Sequence, residues 1–283
     1  MIVVTGATGH LGRLVIEALL KKLPAREIAG ATRNPEKAKD LAARGVEVRR
    51  ADYSKPETLR TAFAGAHKLL FVSSSEVGQR ASQHAAVVQA AKEAGVKLLA
   101  YTSILRAETS RLALAAEHKV TEETIRASGL PYAFLRNGWY LENYTENLAP
   151  ALQHGALVGS ANGGRIAAAA RADYADAAVA VLTGPVEKKV YELAGDHPFT
   201  MSELAAEVSR QAGKLVAYRD LPPDQYRAVL TGAGLPASYA ALLVDADVQV
   251  ARGELDDSTG ELRRLIGRPT TPLATAVRAA LGR

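Results

Sequence analysis

Apolar and polar positions alternate in blocks along the first half of the chain. Short apolar runs at 1–5 (MIVVT), 27–32 (EIAGAT), 46–50 (VEVRR), 68–74 (KLLFVSS), 97–103 (KLLAYTS) and 132–136 (YAFLR) predict strands. Most lack apolar–polar alternation, as expected of strands covered on both faces. Helix-start chemistry lies between them. RNPEKAKDLAAR sets Asn34 as N-cap and Pro35 at the first helical position. SKPETLRTAF offers Ser54 and Glu57 as a capping box. Serial βα units of this kind predict an α/β fold built on a doubly wound parallel sheet.

After Asn137 the rhythm loosens. GWYLENYTENLAPALQHG reads as helical, RIAAAARADYADAAVAVLTG as a strand leading into a helix, and KVYELAG as another strand. TMSELAAEVSRQAGK opens on a second capping box, Thr200 with Glu203, and the chain from LPPDQY onward is mostly helical. The change of domain is expected near residue 137, with some later segments returning to the first sheet.

Composition narrows the classes. No apolar run approaches the ~20 residues of a spanning helix, so no membrane anchor is expected. MIVV lacks the basic start of a secretory leader and the glycines follow at once, so the fold is expected to begin at Met1. With no cysteine, disulfides, thiolate nucleophiles and cysteine–zinc sites are excluded, which is compatible with a cytoplasmic location. The net charge of +5 is dispersed in single residues and doublets, with no basic stripe, and a nucleic-acid partner is not expected. None of the six histidines pairs with another or with an acid at ligand spacing, so no metal site is expected.

The glycines carry the first chemistry. In VTGATGHLGRLVIEALL, Gly6, Gly9 and Gly12 separate the first strand from an amphipathic helix. Glycine permits a tight turn and close approach of backbone amides to a pyrophosphate, and the helix N-terminus adds free N–H donors. The spacing is G-x-x-G-x-x-G rather than the commoner G-x-G-x-x-G, but its place after the first strand of a serial βα pattern makes it a nucleotide loop. About 20 residues on, where NAD-binding folds place an acid for the ribose 2′-hydroxyl, stands Arg33. A guanidinium there suits a 2′-phosphate, which favours NADP(H) over NAD(H). Asp52 and Tyr53 end the third strand as adenine neighbours or simple turn residues. Ser73, Ser74 and Ser75 follow the fourth strand, at the carboxyl edge where open α/β sheets bind ligands.

TGATGHLG, Arg33, FVSSS and YTS together have the layout of the short-chain dehydrogenase/reductase superfamily. Its usual Tyr-x-x-x-Lys pair is missing. Thr102 and Ser103 follow the fifth strand, but the next helix reads LALAAEHKV. Leu114 and His118 have the four-residue spacing without the residue types. Lys119 is one residue late, about 100° round the helix. His118 is either a replacement acid, since imidazole titrates near neutrality, or a structural histidine on a backbone carbonyl.

TGATGHLG, SSSEVGQR, AYTS, Glu117-His118, LRNGWYLENY, RADYA and VYELAGD, spread over almost the whole chain, resemble the NmrA-like, atypical short-chain dehydrogenases. SSSEVGQR and RNGWYLENY point within that family to its quinone reductases and triphenylmethane dye reductases. The resemblance implies a Rossmann-type NADP-binding domain over 1–137 and a smaller, mostly helical substrate domain over 138–283. It implies that Gly6, Ala7, Thr8, Gly9, His10, Leu11, Arg33, Ser73, Ser74, Ser75, Gly138, Trp139, Tyr140, Leu141, Glu142 and Asn143 touch the dinucleotide. The implied activity is hydride transfer from NADPH to a small planar quinone, with Trp139, Tyr140 and Tyr144 offering flat faces to it or else packing at a domain interface. A quinone would also explain the missing tyrosine. Its reduction gives a phenolate whose conjugate acid has a pKa near ~10, which takes its proton from water. An alkoxide would need an enzymic acid. A dye reductase, and a non-catalytic NADP(H) sensor with a protein partner, remain as alternatives, and the oligomeric state is not read from the sequence.

Overall fold

The computed structural model describes residues 1–282. Along the chain run β1 (Ile2–Thr5), α1 (His10–Leu19), β2 (Ile28–Thr32), α2 (Lys39–Ala43), β3 (Glu47–Arg50), α3 (Pro56–Ala62) and β4 (Lys68–Phe71). Next come α4 (Arg80–Glu93), β5 (Leu98–Ile104), α5 (Ala115–Ser128), β6 (Tyr132–Asn137), α6 (Glu142–Thr145), α7 (Ala149–His154) and β7 (Ala156–Gly159). The chain continues with α8 (Arg171–Thr183), β8 (Val190–Leu193), α9 (Met201–Ala212), β9 (Ala217–Asp220), α10 (Pro223–Gly232), α11 (Ala237–Ala251), α12 (Glu261–Ile266) and α13 (Leu273–Ala280). No helix among the described residues is long and apolar enough to cross a membrane.

Two compact units result. The first comprises Met1–Glu108, Ala116–Asn137 and Arg171–Leu193. Its seven strands are all parallel, in the order β3-β2-β1-β4-β5-β6-β8. Every residue of β1, β2 and β5 is buried, which is why those runs are apolar without alternation. Phe63, Leu69, Phe71, Tyr101 and Phe134 fill one side of the sheet. Strand order reverses between β1 and β4, and such a switch opens a crevice at the carboxyl ends of the strands. Thr102 and Ser103 lie inside β5 rather than beyond it.

Two expected caps are absent because nearer partners take the groups involved. Residues Pro35–Ala38 form a 3₁₀ turn, with the Lys37 N–H on Asn34 O at 3.0 Å, and the α-helix starts only at Lys39. Asn34 makes no side-chain cap. Helix α3 starts at Pro56 with Lys55 as its N-cap, so Ser54 lies one residue outside it. The Asp52 carboxylate accepts the Ser54 N–H at 3.0 Å, and Thr58 Oγ1 accepts the Asp52 N–H at 2.9 Å. An Asx turn has replaced the capping box.

The second unit comprises Thr109–Ala115, Gly138–Ala170 and the chain from Ala194 onward. Helix α9 has the complete capping box, Thr200 and Glu203 each accepting the other's backbone N–H. The expected strand in RIAAAA does not form. Its backbone serves three segments: Ile166 bridges Phe199, the Ala167 N–H goes to Leu255 O, and Ala169 bridges Tyr140, so no continuous ladder develops. Instead β7 and β9 make a small parallel sheet. GWYLENYTENLAPALQHG folds as two short helices, α6 and α7.

Candidate functional site

The glycine loop is built by contact of backbone on backbone. Gly6 turns the chain at φ +62°, and the Gly9 N–H donates to Gly6 O at 2.8 Å. A Cβ on Gly12 would lie 2.3 Å from that same carbonyl oxygen. Only glycine lets the first turn of α1 settle onto the loop, and its unbonded N–H groups and dipole are thereby aimed at the crevice. Ala7 alone among residues 6–11 does not line the cleft. It is fully buried, with its N–H on Ala31 O at 3.1 Å, and so fastens the loop to β2. Thr8 and Thr32 join their hydroxyls at 2.8 Å.

A cleft of about 450 Å³ opens beside this loop, within the first unit. Its walls are the chain ends of four adjacent strands: Gly6 to Gly12 after β1, Thr32 to Lys37 after β2, Ala51 to Tyr53 after β3, and Val72 to Glu76 after β4, with Gln83 of α4 behind. Arg33 stands exposed at the mouth, ion-paired across it to Glu76. Lys37 supplies a second cation on the same rim. The Tyr53 ring lines the cleft, but its hydroxyl is committed to Thr5 Oγ1 and Val72 O, and burial raises its pKa.

The serine turn is fastened from behind. The Ser73 N–H donates to Thr102 Oγ1 at 2.9 Å, the Ser74 N–H to His84 Nε2 at 3.1 Å, and Arg80 Nε to Ser74 O at 2.7 Å. Because Nε2 of His84 accepts, its Nδ1 carries the proton and donates to Thr121 Oγ1 at 2.8 Å. Burial, with the Arg80 charge added, pushes the His84 pKa down to about 3.

His118 lies behind the turn and does not line the cleft. Only 7% exposed, its Nδ1 meets the Tyr101 hydroxyl at 2.8 Å and its Nε2 faces Arg80 Nη1 at 3.4 Å. Burial first, then the charge of Arg80, pushes its pKa down to about 3 and keeps the ring neutral. Its side-chain partners are a phenol and a guanidinium.

Residues 138–143 belong to the second unit. The Leu141 N–H donates to Ala169 O and the Ala169 N–H to Trp139 O, so Trp139 to Leu141 run alongside Ala169 before α6 begins. Leu141 is buried, whereas Trp139, Tyr140 and Tyr144 are half-buried. In the same unit the Tyr144 ring meets Phe199 edge-on at 5.9 Å. Burial raises the pKa of the Tyr144, Tyr218 and Tyr226 phenols, and the carboxylate of Asp247, which accepts the Ser160 N–H at 2.8 Å, adds to the rise. Burial pushes Asp247 itself up to about 6.

Sequence reasoning missed Lys37, Glu76 and Gln83 as cleft residues. Glu76 was within reach, adjoining the serine triplet, but nothing in SSSEVGQR indicates that it faces Arg33. Among the described residues no three His, Asp or Glu side chains gather as a metal site.

An open parallel sheet with a glycine loop, a cationic rim after β2 and a serine turn after β4 is the architecture of a dinucleotide-binding reductase. Residues 1–262 match the NmrA-like family, and the chain belongs to it. It is 52% identical to quinone oxidoreductase 2 of Escherichia coli strain K12, over 98% of this chain and 97% of that one. A crystal structure of the E. coli NADPH-dependent quinone oxidoreductase complexed with NADPH is similar at a TM-score of 0.96 and 50% identity, covering 99% of this chain and 100% of that one. The triphenylmethane reductase of Citrobacter sp. is similar at a TM-score of 0.95 and 41% identity, over 100% and 99% of the two chains.

Proposed function

We infer that this protein is an NADPH-dependent quinone oxidoreductase. The observation that carries the reading is the cleft itself: a helix N-terminus seated on a glycine loop, and two cations at the rim where a carboxylate would select NADH. The donor set fits the group. Backbone N–H groups of residues 10 to 12 suit a pyrophosphate, Arg33 and Lys37 a 2′-phosphate, and Thr32 and Asp52 to Tyr53 border the adenosine end. Gln83 Oε1, buried beside the cleft without a hydrogen-bond partner, is an acceptor of the kind an adenine amino group satisfies. When bound, NADPH supplies the hydride.

The chain's own part is binding, orientation and exclusion of water. Ser73 to Ser75, pinned by Thr102, His84 and Arg80, form the rigid wall toward the reacting end. Residues 138–143 are assigned to the dinucleotide by sequence resemblance. His118 is assigned a supporting place behind Tyr101, its burial and neutral state arguing against proton delivery. The reduced quinone takes its proton from water, as a phenolate with a conjugate acid near ~10 permits.

The test is loss of NADPH absorbance with purified protein and a small benzoquinone, after subtraction of the uncatalysed rate. Saturable oxidation, faster with NADPH than with NADH, is expected. Tight NADPH binding with no turnover would replace this reading with that of a sensor. The resemblance to triphenylmethane reductase favours a second acceptor class, and a cationic triphenylmethane dye in the same assay measures it.

A further inference from the structure

We propose that Glu76 sets the strength of the NADPH preference, by competing with the cofactor's 2′-phosphate for Arg33. This rests on the reading of Arg33 given above. Arg33 leaves the end of β2 and Glu76 the turn after β4, and their ion pair spans the mouth of the cleft that both line. The carboxylate is not a loose surface group. Its second oxygen accepts from Gln83 Nε2 at 2.7 Å, and Gln83 is buried and also donates to Ser54 Oγ at 3.1 Å. The Glu76 N–H is held by Ser74 Oγ at 3.1 Å. A fixed carboxylate therefore occupies the guanidinium to which a 2′-phosphate binds.

Two consequences follow for the two dinucleotides. A 2′-phosphate has to displace or share the guanidinium and lies close to a like charge, so Glu76 weakens NADPH. A ribose 2′-hydroxyl carries no charge and donates a hydrogen bond to a carboxylate, so Glu76 holds NADH. Arg33 and Glu76 thus act in opposition, and the chain retains measurable affinity for both cofactors rather than the steep selectivity of an unopposed arginine.

Titration of the quenching or enhancement of NADPH and NADH fluorescence at low salt tests this with Glu76→Gln, Arg33→Ala and the double variant. Glu76→Gln keeps the side chain's size and its contact with Gln83. It is expected to tighten NADPH roughly 5- to 10-fold, from removal of an exposed pair and a nearby like charge. NADH should be weakened or unchanged, and the NADPH gain should shrink on the Arg33→Ala background, where only the like-charge repulsion is left to remove. Unchanged or weaker NADPH binding by Glu76→Gln overturns the proposal, as does a gain undiminished by removal of Arg33. Equal loss of NADPH and NADH in Arg33→Ala is a different failure, that of the 2′-phosphate assignment itself. Thermal midpoints of the three variants, expected close to that of the parent, show that each is folded.

Discussion

Two of the arginine–glutamate pairs in the first unit, both at the carboxyl side of its sheet, behave in opposite ways. Arg33 and Glu76 are 60% and 39% exposed and make a single charge contact. Arg136, at the end of β6, and Glu122 of α5 are 5% and 0% exposed. The Arg136 guanidinium donates to both oxygens of Glu122 and, through Nη1, to Glu192 at 2.8 Å. Ser103 donates to Glu122 at 2.6 Å, and Arg126 adds a further contact at 3.1 Å. An exposed pair contributes ~0–1 kcal/mol and is screened by water, so a ligand can exchange into it. A buried pair survives only when nearly every lone pair and proton is met, and it then resists exchange. The same residue types make a docking point in one place and a fixed strut in the other.

Removing one partner from each pair should separate these roles. Arg136→Met leaves Glu122 buried without its main counter-charge and is expected to cost about 3–5 kcal/mol by urea unfolding. Arg136→Met with Glu122→Met should recover much of that loss, because the fully buried carboxylate is then no longer stranded and Glu192, which also loses Arg136, is partly exposed. A single-variant loss below ~1 kcal/mol would show that water reaches Glu122. Arg33→Ala should change stability by less than ~0.5 kcal/mol while weakening NADPH by about 10- to 100-fold, as expected for charge-assisted bonds of ~1.5–3 kcal/mol. If Arg33→Ala were the destabilising change, the comparison would be inverted.

The same division governs what the sequence reveals. Strands β1, β2 and β5 are legible because a strand buried on both faces must be a continuous apolar run. The glycine loop and Arg33 are legible because their spacing is local. Glu76 and Gln83 are not, since they meet Arg33 and Ser54 only after the sheet has brought the ends of β2 and β4 to flank β1. Thr102 and Ser103 mark the end of an apolar run, and only the paired strand shows that they point to Ser73 and Glu122 from within β5. The Ser54 cap was lost to an Asx turn two residues upstream, a competition between neighbours that a capping pattern does not weigh. Strand β9, AYRD, is short and mostly exposed and has no apolar signature at all.

Two imidazoles extend the comparison to a third kind of group, buried yet uncharged. His84 meets Thr121 and the Ser74 N–H, with Phe71, Tyr53 and Tyr101 around its ring. His118 meets Tyr101 and Arg80. Neither faces a carboxylate that would steady a positive ring, and Arg80 opposes one, so both are held down to about 3, from the ordinary 6.5. Below pH 6.5 the unfolded chain takes up two protons that the folded chain refuses. Stability is therefore complete above that pH and is lost as pH falls from 6.5 toward 3, at up to about 1.4 kcal/mol per pH unit for each ring. Urea midpoints at pH 8, 7, 6 and 5 should be level at first and then fall, the fall being partly offset by Asp247, whose carboxyl, raised to about 6 in the fold, takes up a proton in the same window. His118→Gln should remove more than half of the slope between pH 6 and 5. A profile flat down to pH 5 would mean that at least one ring charges in the folded state, and that the wall behind the serine turn admits water.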